Sequence, residues 1–102
     1  MAFLVILSGP ARGRRVDLAE RLVMIGRDKT CTITIRDDHI SRRHIQIGYD
    51  RRRDRHFAVD VGSTNGVTVN GTRLQRGALR LLDDGDLIDV GCSRLRYARN
   101  RG

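Results

Sequence analysis

The sequence has 102 residues, a formal charge of +8 from 20 basic and 12 acidic side chains, and only 4% aromatic residues. That length suits one compact domain burying roughly two-thirds of its unfolded surface, so neither a metal nor a disulfide is needed to hold the core. No stretch approaches the roughly 18 apolar residues of a membrane span, and the apolar start Met1 to Leu7 lacks the basic n-region of a secretory signal, so a soluble, cytoplasmic protein without membrane contact is expected.

Every basic residue except Lys29 is arginine, whose planar fork grips phosphate in a bidentate way. An anionic partner follows, although charge by itself leaves phosphoprotein and nucleic acid both open. Cys31 and Cys92 lack the paired spacing of a zinc or redox motif, and both read as small apolar residues in or near the core. No cofactor and no metal site are expected.

In chain order, Phe3 to Leu7 is an apolar run of strand length ended by the breaker Ser8-Gly9-Pro10. Val16-Asp17-Leu18, Leu22 to Ile25 and Thr32 to Ile35 follow as short extended pieces, with room for one helical turn over Leu18 to Arg21. Ile45 to Tyr49 and Phe57 to Val61 alternate with the period of strands buried on one face. Val67-Thr68-Val69 runs into Asn70-Gly71, the strongest two-residue hairpin signal, with Arg73-Leu74 as the return. Leu87 to Val90 and Leu95 to Tyr97 close the set. Asp83-Asp84-Gly85-Asp86 reads as a turn, lacking the spacing and terminal glutamate of a calcium loop. Short strands separated by turn residues predict an all-β sandwich or barrel, whose loops are where function belongs.

Three of those loops stand out: Gly26-Arg27-Asp28, Ser41-Arg42-Arg43-His44 and Gly62-Ser63-Thr64-Asn65-Gly66. They supply guanidinium groups, hydroxyls, an amide and glycines that free the backbone. An oxyanion with three strong acceptor oxygens needs such donors converging from several directions. Each loop alone reads as an ordinary turn, and only their order and spacing between strands makes them a set.

That ordered set resembles a forkhead-associated (FHA) domain. Ile25-Gly26-Arg27, Ile33 and Ile35, Ser41 to Ile45, Asp60 to Gly66, Val69-Asn70-Gly71, Leu82 with Asp84-Gly85-Asp86, and Ile88 with Gly91 carry the likeness. It spans nearly the whole chain, from Phe3 to Tyr97. The resemblance implies a β-sandwich of about eleven short strands (FHA/SMAD-like), with binding loops at one end. It places an FHA domain over residues 1–98, leaving 99–102 as a basic C-terminal tail, either disordered or the point where a longer protein was cut.

The same resemblance implies a module binding phosphothreonine in a partner protein or peptide, within Ser/Thr kinase signalling; a monomer is expected. Arg27 and Ser41 match the family's phosphate-gripping arginine and serine, Arg42 an adjacent phosphate contact, and Thr64 a residue that holds phosphate and bounds the threonine methyl pocket. Asn65 matches the asparagine that bonds the peptide backbone, and His39 a position that tunes preference for a flanking residue. Gly26, His44, Gly66 and Asn70 are assigned to loop support, Asn70 to the hairpin turn as well. Val67 stands where the family often carries threonine, a change of packing more than of ligand contact.

Two other functions compete. The cluster Arg51-Arg52-Arg53-Asp54-Arg55 suits a basic nucleic-acid-binding domain, although two phenylalanines and two tyrosines give little stacking surface. A phospho-independent FHA scaffold is the other, against which Arg27 and Ser41 both stand. An enzyme is not expected, since Ser41 and His44 have neither a nucleophile elbow nor an orienting third group.

Overall fold

Eleven strands and no helix make up residues 1–100, the part of the chain described by the computed structural model. The strands are β1 Ala2–Ser8, β2 Arg15–Asp17, β3 Val23–Gly26, β4 Ile33–Thr34, β5 Ile45–Asp50, β6 Arg55–Asp60, β7 Val67–Val69, β8 Thr72–Arg73, β9 Leu79–Leu81, β10 Leu87–Val90 and β11 Ser93–Arg99. They form a six-stranded sheet in the order β2-β1-β11-β10-β7-β8 and a five-stranded sheet in the order β4-β3-β5-β6-β9. All pairings are antiparallel except β3 with β4. The chain is an all-β sandwich, as the sequence predicts.

Alternation decides which residues meet between the sheets. Leu4 and Ile6 of β1, Ile25 of β3, Ile45 and Ile47 of β5, Val67 and Val69 of β7, Ile88 and Val90 of β10, and Leu95 and Tyr97 of β11 are all buried in one core. Strand β6 turns its smaller and polar residues inward. His56, Ala58 and Asp60 are buried, Phe57 and Val59 are half-buried on the outer face, and Val61 is exposed. Phe57 lies over its cross-strand partner Gly48, where a Cβ would come within 2.3 Å of the ring.

Among the described residues the buried side-chain polar groups are all hydrogen-bonded. His56 Nε2–H donates to the Ala19 carbonyl at 2.7 Å and its Nδ1 accepts the Tyr97 hydroxyl at 2.9 Å. The ring thus ties β6 to β11 and to the turn at Ala19. That turn, with Ala19 at φ 55°, stands in place of the helical turn for which Leu18 to Arg21 has room.

Two expectations need correction. Cys31 is buried beneath the Arg42 carbonyl, but Cys92 is exposed in the two-residue β10–β11 turn, where its side chain points away from the core. The C-terminal tail does not begin at Arg99, which belongs to β11, and the Asn100 amide donates to the Met1 carbonyl at 2.8 Å. Arg101 and Gly102 lie outside the described residues. No described helix is long and apolar enough to cross a membrane.

Candidate phosphopeptide-binding site

The C-terminal ends of β3, β6 and β10 and the N-terminal ends of β5 and β7 all lie at one end of the sandwich, so the loops they carry come together there. The loop after β3 and the loop before β5 are laced by backbone bonds. The Arg27 amide donates to the Ser41 carbonyl at 3.0 Å, the Asp28 amide to the Arg42 carbonyl at 3.2 Å, and the His44 amide to the Ile25 carbonyl at 3.0 Å. Gly26 makes this possible, since a Cβ there would fall 2.0 Å from the Arg42 carbonyl oxygen. It serves close approach, with no positive φ.

His44 joins the third loop to these two. It is fully buried, its Nδ1 accepts the Ser41 amide at 3.0 Å, and its Nε2 lies 2.8 Å from the Gly66 carbonyl. A backbone amide only donates, so Nδ1 carries no proton and Nε2–H is the donor to Gly66. Gly66 has φ +83°, and the Arg73 guanidinium packs where its side chain would be.

Asp60, buried at the end of β6, shapes the third loop from below. Its Oδ1 accepts the Gly62 and Ser63 amides at 2.9 and 2.8 Å, and its Oδ2 accepts the Ser63 hydroxyl at 2.9 Å. Burial pushes this carboxyl up, but the Ser63 and Gly62 bonds outweigh it and hold the group below its ordinary range. Arg76 completes the frame by donating to the Ser63 carbonyl at 3.2 Å.

On this frame the expected contact residues assemble. Ser41 Oγ accepts the Thr64 amide at 3.0 Å, leaving its own proton free to donate. Arg27 Nε is held by the Ile40 carbonyl at 3.1 Å, and its two terminal nitrogens have no acceptor among the described residues. Arg27, Arg42 and Thr64 are exposed. Asn65 Nδ2 donates to the His39 carbonyl at 2.9 Å, which leaves its carbonyl oxygen unengaged among the described residues. His39 and Asn65 border a groove of about 220 Å³ that also meets Gly66, Thr68, Asp89, Gly91 and Cys92.

Asn70 is not part of this assembly. It sits at φ 52° in the β7–β8 turn, its Nδ2 donates to Asp86 Oδ1 at 2.9 Å and its Oδ1 accepts the Leu87 amide at 2.9 Å. Those bonds brace the opposite end of β7, so Asn70 supports the hairpin and the turn before β10. Of the two roles expected of Asn70, these bonds serve the hairpin turn, and none of its side-chain bonds among the described residues reaches the three loops.

Beside Asp60, three more supports have no role assigned from the sequence. Asp37, Ser63 and Arg76 all act through bonds to loop backbone or to another side chain, and an aspartate, serine or arginine in a loop carries no mark of such a partner. Asp37 Oδ1 accepts the His39 amide at 2.8 Å, while Oδ2 accepts the Cys92 amide at 2.8 Å and the Ser93 hydroxyl at 3.0 Å. Burial raises its carboxyl, and these bonds more than offset that, so it sits below its ordinary range.

The FHA-domain family profile matches residues 23–91, which contain all three loops. The chain belongs to the FHA domain family. It is 36% identical over 96 residues to the oxoglutarate dehydrogenase inhibitor of Corynebacterium jeikeium, covering 94% of this chain and 63% of that protein. It is 33% identical over 72 residues to the FHA domain-containing protein FhaB of Mycobacterium tuberculosis, covering 71% of this chain and 45% of that protein. The chain therefore spans about half to two-thirds of the length of these relatives. A solved structure described as a structural and functional analysis of phosphothreonine-dependent FHA domain interactions superimposes with TM-score 0.85 at 32% identity, covering 98% of this chain and 97% of that one.

Proposed function

We propose that this FHA domain is a non-catalytic module that binds phosphothreonine in a partner protein, in Ser/Thr kinase signalling. The observation that carries the reading is the convergence on Ser41. Its hydroxyl oxygen is held by the Thr64 amide, its carbonyl by the Arg27 amide, and its amide by His44. The hydroxyl proton, the free end of Arg27, the Arg42 guanidinium and the Thr64 hydroxyl then form one donor set for a dianion. Asn65 presents its carbonyl oxygen beside that set for a peptide amide, and His39 next to it is placed to sense a flanking residue. Phosphothreonine dependence in the 32% identical solved relative supports the same ligand.

Catalysis is disfavoured by the same geometry. His44 bonds the Ser41 amide and not its hydroxyl, and both ring nitrogens are committed to backbone. It cannot take a proton from Ser41 as a general base does. The nucleic-acid reading draws on the Arg51 to Arg55 turn, which lies at the end of β5 and β6 away from Ser41 and where Arg53 and Arg55 face Asp50 and Asp83.

The test is a degenerate phosphothreonine peptide library passed over the immobilised domain, with the phosphatase-treated library as control. Retention of phosphopeptides with a defined flanking preference is the expected result. Equal retention from both libraries contradicts the reading.

A further inference from the structure

Beside the loops described above, three side chains from two separate segments meet at the β10–β11 turn. A carboxylate oxygen of Asp37, an imidazole nitrogen of His39 and Cys92 Sγ all lie within 4.8 Å of one another. His39 Nδ1 is 3.2 Å from Cys92 Sγ and 3.6 Å from Asp37 Oδ1. The geometry points to a zinc-type metal site formed by Asp37, His39 and Cys92, a departure from the sequence expectation of none.

The separations lie close to what the metal's stereochemistry requires. Tetrahedral zinc bonds sulfur at about 2.3 Å and nitrogen or oxygen at about 2.0–2.1 Å, which sets ligand-to-ligand distances near 3.3–3.6 Å. Pair by pair, the sulfur–nitrogen edge should be about 3.5–3.6 Å and the nitrogen–oxygen edge about 3.3–3.4 Å, so the present 3.2 and 3.6 Å call for shifts of about 0.3 Å, which the exposed His39 and Cys92 side chains can make. A thiolate, an imidazole and a carboxylate together favour zinc or cobalt over magnesium or calcium, which prefer all-oxygen sets.

The carboxylate has capacity left for this. An ionised aspartate offers about four lone-pair positions, of which Asp37 uses two on Oδ2 and one on Oδ1. The open position is on Oδ1, the oxygen nearest His39 Nδ1. Asp37 is also the buried member, with three donors fixing its orientation as outer partners fix a metal-bound carboxylate. His39 and Cys92 are exposed, so an ion has a path in.

The two segments are closely apposed. A Cβ on Gly91 would fall 2.7 Å from Ile40 Cγ1 and 3.1 Å from Asp37 Oδ2. The site is thus largely preformed. Metal binding replaces the Sγ to Nδ1 contact, releases the Cys92 thiol proton to solvent, and leaves a fourth position to water at the groove bordered by Asn65.

Cobalt(II) titration of the full chain tests this directly. The wild type should bind one cobalt per chain with strong thiolate-to-cobalt charge-transfer absorption, and one equivalent of zinc should bleach it. Cys31→Ser should keep the band and Cys92→Ser should lose it. His39→Ala should weaken cobalt binding by about tenfold or more, the scale on which even an outer partner's loss is felt. Neither Cys92→Ser nor His39→Ala touches the backbone bonds of residues 39 and 92, so both should fold, with circular dichroism as the check. Absence of the band in the wild type, or its survival in folded Cys92→Ser, overturns the site.

Discussion

Ser41 and Thr64, 23 positions apart, are joined by a single bond in which the Thr64 amide donates to Ser41 Oγ at 3.0 Å. This bond sets both the direction of the serine hydroxyl and the position of the third loop over the first two. Ser41→Ala removes a ligand donor and a loop tie together. We expect it to weaken phosphopeptide binding by about 1 kcal/mol or more, roughly fivefold, as a lost hydrogen bond does. Arg27→Ala removes a charge-assisted fork and should cost about 1.5–3 kcal/mol of affinity. Titration calorimetry with one phosphothreonine peptide reads both. Unchanged affinity in both variants excludes this end of the sandwich as the site.

His44→Ala separates support from contact. The ring is fully buried and its loss strands the Ser41 amide and the Gly66 carbonyl while opening a void. An expected destabilisation of about 2–4 kcal/mol follows from two unpaired buried groups and a cavity. Urea unfolding measures it, and at saturating folded protein the affinity should still fall because Ser41 is no longer held. A variant as stable as the wild type contradicts the bracing role.

Much of this frame is legible in the sequence, and the exceptions share a cause. Asn70-Gly71 marks a hairpin by local backbone preference, and Gly26-Arg27, Ser41 to His44 and Ser63 to Gly66 mark loops by chemistry in fixed order. Strand β9 was missed because Leu79-Arg80-Leu81 gives barely one period of alternation and Leu79 is exposed, so only pairing with β6 defines it. The exposure of Cys92 and its meeting with Asp37 and His39 depend on packing between segments over fifty positions apart. No local pattern carries that information.

Asp60 supplies a pH-dependent term. Its carboxyl is held below the ordinary value of 3.8 in the folded chain. A group depressed in this way contributes stability that is fully present above the unfolded value and lost as pH falls through the folded one. The stability gap between wild type and Asp60→Asn should therefore be constant near neutrality and shrink below about pH 4. Urea midpoints across that range report it. A gap that widens on acidification reverses the sign and rejects the assignment.

Replacing Arg51, Arg52 and Arg53 together by alanine should leave phosphopeptide affinity within about twofold, because these residues lie at the opposite end of β5 and β6 from Ser41. Arg53 is paired with Asp50 and Arg51 lies 3.9 Å from Glu20, and since both arginines are exposed such pairs contribute little. A large loss of affinity in the triple variant, measured beside Arg27→Ala, favours the nucleic-acid alternative.

The most direct measurement compares one peptide in three forms by calorimetry: phosphothreonine, phosphoserine and unphosphorylated threonine. The account predicts binding of the phosphothreonine form, no measurable binding of the unphosphorylated twin, and a phosphoserine form weaker by about fourfold, the worth of one buried methyl at about 0.8 kcal/mol. Lowering the pH below about 6, where the phosphate loses its second charge, should weaken the phosphothreonine complex while the protein stays folded. Equal affinity for the phosphorylated and unphosphorylated peptides contradicts the account at its centre.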